Sequence, residues 1–139
     1  MILLSVSCNR DRTEEFVSYM RSADEFYHQG MDEDAMNALV KAEKTYSEEI
    51  PAAELGYLKM RKGDIYYRYY DYAKAIDSYA EGSEIFLASG DTLNYCSALL
   101  LLCDASILNL DSSRAHKCIS DMQENARFYQ GQAKHAYHL

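Results

Sequence analysis

Proline occurs once and glycine six times in this 139-residue chain, too little turn chemistry for a domain of many short strands. Basic residues are scarce beside acidic ones, 14 against 22, which sets the net charge at −8 and the sequence pI near 4.9. Phosphate backbones are held by clustered Lys and Arg, so this balance excludes nucleic acid as a partner of the segment. No apolar run approaches the roughly 18 residues that a membrane-spanning helix needs. The four cysteines, Cys8, Cys96, Cys103 and Cys118, form no CxxC pair, which argues against a zinc or thioredoxin-type site. Cys96 and Cys103 would stand about two turns, roughly 10 Å, apart along one helix, too far to bridge. They read as small buried residues of a reduced chain. Catalytic signatures are missing too: His28, His116, His135 and His138 are scattered, and no phosphate loop, nucleophile elbow or HExxH occurs. The expectation is a non-enzyme with no metal and no cofactor.

What the chain does have is apolar content, 48%, and tyrosine, densest in "KGDIYYRYYDYAKAIDSY" from Lys62 to Tyr79. That much apolar residue is enough for a packed domain and argues against disorder. A base-stacking role for these tyrosines lacks its electrostatic funnel, because Asp64, Asp71 and Asp77 lie among them.

The chain repeats itself with a period of forty. Ala35 falls on Ala75 and Ala115, and Asp24 on Asp64 and Asp104. Ala23, Gly63 and Cys103 are all small; Leu39, Tyr79 and Ile119 are all large; Ala42, Gly82 and Met122 follow. Met20 and Arg21 recur as Met60 and Arg61, and Tyr27 as Tyr67. Identity between copies is low, and what recurs is residue size at fixed offsets. Two helices crossing closely need small side chains at the contact, and the large residue four positions later lies one turn along the same face. Between the helices come turn signals at Gly30, Asp71 and Asp111, which end one helix and supply Asp or Ser to cap the next. The spacing predicts helices over 12–29, 32–49, 52–70, 72–89, 91–109 and 111–129. Pro51 suits a first helical turn, and Gly90 a C-terminal stop.

"GDIYYRYYDYAKAIDSYAEG" resembles a tetratricopeptide repeat. The likeness is carried by Gly63 and Tyr66, the Asp71–Tyr72 turn, Ala75, Tyr79 and Gly82. A first copy matches through Ala23, Phe26, Gly30, Ala35, Leu39 and Ala42, and a weaker third through Cys103, Ser106, Ala115, Ile119 and Met122. The family's usual period is about 34 residues; forty is similar to a longer-helix variety found in bacterial regulators. The resemblance implies an all-α, right-handed α-solenoid of antiparallel helical hairpins, three repeats at about 11–50, 51–90 and 91–130 with a truncated fourth at 131–139. It places Tyr66, Tyr72 and Tyr79 in the packing and Tyr67 on the face that such proteins use for binding. Lys59 and Lys62 depart from the pattern, holding positions that are usually large and apolar. Their stems are expected along the packing surface with the charges in water.

At the start, residues 1–10 in "MILLSVSCNRDR" resemble the end of a bacterial lipoprotein signal with Cys8 as the lipidated residue. The other reading is an apolar segment packed on the first helix. At the end, "GQAKHAYHL" reads as the first turns of a fourth repeat or as a short helix capping the third. The compartment follows from Cys8: membrane-anchored and periplasmic if it is lipidated, cytoplasmic otherwise.

The resemblance also implies a partner groove lined by the first helix of each repeat. In repeat one it comprises Val17, Met20, Asp24, Tyr27 and His28. Repeat two supplies Tyr57, Met60, Asp64, Tyr67 and Arg68; repeat three supplies Ser97, Leu100, Asp104, Ile107 and Leu108. A row of three aspartates with Met and Tyr walls favours a neutral or basic peptide. Locally, Arg21–Asp24 and Arg61–Asp64 have the spacing of intrahelical ion pairs. The segment "CSALLLLCDASILNL" is apolar almost all round, as expected of a helix buried on every side by a further repeat, a second subunit or the partner. The implied function is a protein-interaction module, the sensory or regulatory part of a larger bacterial signalling or transcriptional regulator. The alternatives are an envelope lipoprotein adaptor and a scaffold that self-associates through the Leu99–Leu102 surface.

Overall fold

The computed structural model describes residues 2–136, with side chains described from 10 to 127. It is all-helical: α1 (Ile2–His28), α2 (Asp32–Thr45), α3 (Ala52–Arg68), α4 (Tyr72–Ala88), α5 (Thr92–Leu108) and α6 (Ser112–Ala136), with no strand among the described residues. The main packing contacts run between helices consecutive in the chain, most extensive for α3 with α4 and sparsest for α2 with α3.

Local chemistry sets the turns. Four helices end on a residue with positive φ: Gly30 (76°), Tyr70 (61°), Gly90 (73°) and Leu110 (58°). In each case the next N–H reaches back to the final helical turn, Met31 to Phe26 O at 2.9 Å, Asp71 to Tyr66 O at 3.0 Å, Asp91 to Phe86 O at 2.9 Å and Asp111 to Ser106 O at 2.8 Å. That is the Schellman closure. The same aspartates then start the next helix, each accepting the N–H three residues on, from Lys74, Asn94 and Arg114. Leu110 is 91% exposed yet sits in a left-handed conformation that costs a side-chain-bearing residue about 1–2 kcal/mol. Leu110→Gly removes that strain against about 0.5–1 kcal/mol of added freedom in the unfolded chain. A small rise in the urea midpoint is therefore expected, and a fall would contradict it.

Between the helices, small faces large as the period of forty requires. Ala23, Ala35, Leu39, Ala42 and Ala75 are fully buried, and Tyr79 is 1% exposed. A Cβ on Gly63 would lie 2.5 Å from the Tyr79 ring, and one on Gly56 2.6 Å from Phe86. The buried residues form two clusters. One spans Phe16 to Ile65 around α1, α2 and α3; the other spans Ala75 to Cys118 around α4, α5 and α6.

Several sequence expectations are corrected. α1 begins at Ile2 rather than near 12, because nothing between Ile2 and Asp11 breaks a helix. α2 stops at Thr45 rather than 49, since the chain turns extended at Tyr46 (ψ 139°) to seat Ile50, 3% exposed, ahead of the restrictive Pro51. α6 runs past 129 and through Gly131 to Ala136, so no new helix starts at Gly131; a lone glycine costs only about 1 kcal/mol in a helix. Ile119, placed in the packing with Leu39 and Tyr79, is 41% exposed, because no described helix lies against that side of α6. Residues 137–139 and the Cys8 side chain lie outside the described residues.

Lys59 and Lys62 give the largest correction. Their ammonium groups do not reach open water. Lys59 bridges Glu43 of α2 and Glu81 of α4, and Lys62 lies 2.7 Å from Glu43, with the two lysine side chains 16% and 17% exposed. Burial alone would lift the Glu43 carboxyl, but the hydrogen bonds from Lys59 and Lys62 outweigh it and hold the group below its ordinary value. Burial likewise opposes the Lys59 charge, and the bonds to Glu43 and Glu81 overcome it and raise its pKa. The two lysines thus replace an apolar seam with a charged clasp across α2, α3 and α4.

Candidate functional site

The face shared by α1, α3 and α5 carries the groups that the sequence singled out, and a recurring contact organises it. Arg61 reaches Asp24, the Tyr67 hydroxyl reaches Asp104, and the Asn94 amide reaches the Tyr57 hydroxyl, each across 37 residues. Thirty-seven is the period less about one helical turn, so one helix offset ties both junctions, though through different residue pairs.

Two clefts open on this face. Met20, Asp24, Tyr57, Met60 and Asp64 line the first, of about 390 Å³, together with Arg21, Glu54 and Arg61. Tyr27, Asp64, Tyr67, Arg68 and Asp104 line the second, of about 330 Å³, with Tyr79 and Leu101. Nine of the predicted positions thus fall into two adjoining hollows, with Asp64 shared. The others are dispersed. Val17 borders a shallow hollow with Thr13, Glu14, Ser18 and Arg21. His28 stands at the edge, its ring edge-on to Tyr27 at 5.7 Å. Ser97 is exposed and donates to Leu93 O at 3.1 Å. Leu100 is 62% exposed and Leu108 44%. Ile107 turns towards Leu110, Ala115 and Ile119 on the α5–α6 side.

Arg61, read from the sequence only as the intrahelical partner of Asp64 and not as part of the groove, is the group on which the face depends. Its guanidinium lies 2.9 Å from Asp24 and 3.2 Å from Asp64, and 4.1 Å from the centre of the Tyr27 ring. The expected intrahelical pair forms at Arg61–Asp64, whereas Asp24 takes its cation from the next hairpin. Arg68 covers Tyr27 from another approach at 3.8 Å, donates to Tyr27 O and pairs with Asp32, a carboxylate only 7% exposed. Asp64 is buried enough for its pKa to rise, although the Tyr79 hydroxyl at 2.9 Å and Arg61 pull the other way. The row of aspartates is therefore largely neutralised by the fold at Asp24 and Asp64. At Asp104 the carboxylate accepts the Tyr67 hydroxyl at 2.5 Å, and this bond pushes the phenol up to about 12.

α5 corrects another expectation. Tyr95, Ala98, Leu99, Leu102, Cys103, Ala105 and Ser106 are buried, but Leu93, Leu100, Ile107 and Leu108 are not. Leu99 and Leu102 belong to the core, and of the Leu99–Leu102 stretch helical phase turns only Leu100 fully outward. On the other side of α5 a cleft of about 480 Å³ lies between α4 and α6, floored by Tyr95, Leu102 and Cys118 and rimmed by Glu84, Arg114, Lys117 and Asp121. Burial raises the Cys118 thiol, which makes it a poor nucleophile. No group of three or more His, Cys, Asp and Glu able to hold a metal occurs among the described residues, and no described helix is long and apolar enough to cross a membrane. Compared with protein-family models, curated proteins and solved structures, the chain matches none of them.

Proposed function

We propose that this chain is a protein-interaction module whose α1–α3–α5 face receives a peptide or partner protein. On this reading the three hairpins stack as a right-handed solenoid of tetratricopeptide-like repeats, and that face is its concave side. The observation that carries it is the uncovered apolar surface of α5, with Leu100 62% and Leu108 44% exposed one helical turn either side of Asp104, which lines the tyrosine-walled cleft between α3 and α5. An exposed apolar patch rimmed by polar groups is a common mark of an interaction site. In the wider reading, the module is the sensory segment of a larger bacterial signalling or transcriptional regulator.

The test is retrieval of partners from the source cells with the wild-type chain and with Leu100→Asp, a change at an exposed position that leaves the core intact. Loss of a protein that the wild type retains is expected. An unchanged set of retained proteins would sink the reading.

A further inference from the structure

We infer that the cleft between α3 and α5 anchors one basic side chain of the partner, an arginine or lysine, on the Asp104 carboxylate; this rests on the partner-binding reading above. The period of forty sets three positions side by side. Asp24, Asp64 and Asp104 are equivalent positions, and so are Arg21, Arg61 and Leu101. Arg61 supplies the countercharge to both Asp24 and Asp64. At the third position leucine stands where arginine stood. Asp104 makes no ion pair among the described residues, and only the neutral Tyr67 hydroxyl holds it, through Oδ2. The carboxylate is exposed, so an incoming cation can reach it without displacing a protein group.

The surroundings suit a long cationic side chain rather than a bare ion. Tyr67, Tyr79 and Leu101 wall the cleft where a methylene stem would lie. An aromatic face near a cationic head adds attraction. The other charges at this cleft are answered within the fold. Arg68 is committed to Asp32 and stacked on Tyr27, and Asp64 is bonded by Arg61 and Tyr79. Asp104 is thus the one uncompensated charge of the row. Leu100, one turn earlier, offers an apolar seat for a residue flanking the basic one.

The experiment is a nuclear magnetic resonance titration with two probes, acetyl-leucyl-arginyl-leucine amide and the same peptide carrying citrulline, the neutral isostere of arginine. The arginyl peptide is expected to give saturating shifts at Tyr67, Leu101 and Asp104. Binding should be at least about tenfold weaker for the citrulline peptide, and equally weakened for the arginyl peptide on Asp104→Asn. Equal binding of both peptides on this face overturns the basic anchor while leaving the partner-binding reading in place. No shift at these residues with either probe at about 10 mM also overturns the anchor, and the partner-binding reading is then decided by the Leu100→Asp retrieval alone.

Discussion

Gly63→Val is expected to lower the unfolding free energy by about 3 kcal/mol, the upper end of what overpacking a core costs. The position lies mid-helix in α3, where replacing glycine would ordinarily gain stability through helix propensity. Here the gain is outweighed. The first carbon added would come 2.5 Å from two atoms of the Tyr79 ring, and that ring is 1% exposed with its hydroxyl bonded to Asp64 at 2.9 Å. It has neither space nor slack to retreat. Tyr79→Leu alone should also destabilise, by opening a void and removing a donor from a part-buried carboxylate. Together the two changes should cost less than the sum of the singles by about 1 kcal/mol or more, because the smaller leucine leaves room for the valine. Urea denaturation of the four proteins reads this directly. A neutral Gly63→Val would show that α3 and α4 do not cross at this point.

Glu43→Gln is expected to cost about 1–2 kcal/mol at neutral pH, the value of charge-assisted hydrogen bonds reduced for partial solvent screening. The glutamine would leave Lys59 and Lys62 largely buried with half of their countercharge gone. The pH dependence has a definite sign. Glu43 is held below 4.5 in the folded chain, so its contribution is present above the unfolded value and is lost as pH falls through the folded one. Lys59 is held above 10.5, so its contribution is present below that value and is lost as pH rises through the folded one. The clasp is fully formed between about pH 5 and pH 10. Asp64, whose pKa is raised, acts in the opposite sense at acid pH, so the informative quantity is the difference between wild type and Glu43→Gln. That difference should shrink below about pH 4. A pH-independent difference would mean that Glu43 acts through packing rather than charge.

How much was legible in the sequence depended on whether the determining contact was local. The capping aspartates at Asp71 and Asp111 and the helix stops at Gly30 and Gly90 were readable because their partners lie within six residues. The Gly63–Tyr79 contact was readable because a residue-size pattern repeated at fixed offset reports a helix crossing. The clasp at Glu43 was not, since it joins residues 16 and 19 apart on helices whose mutual rotation the pattern does not state. The same holds for Asp24, which looked equally able to pair with Arg21. α5 was misjudged for another reason. A helix apolar on every side has no amphipathic phase, so nothing in its sequence says that Leu99 and Leu102 turn inward while Leu100 turns out. Ile119 makes a related point: residue size marks a packing face but not whether anything lies against it.

The most direct test of the account is side-chain footprinting by hydroxyl radicals, with and without the partner retrieved through the Leu100→Asp comparison. Tyr57, Leu100 and Leu108 are 44%, 62% and 44% exposed in the free chain, so each has reactivity to lose. Protection of these three, with Leu87 beside the α4–α6 cleft unchanged, is the predicted result. Protection at Leu87 with Tyr57, Leu100 and Leu108 still reactive would place the partner on the opposite side and contradict the account.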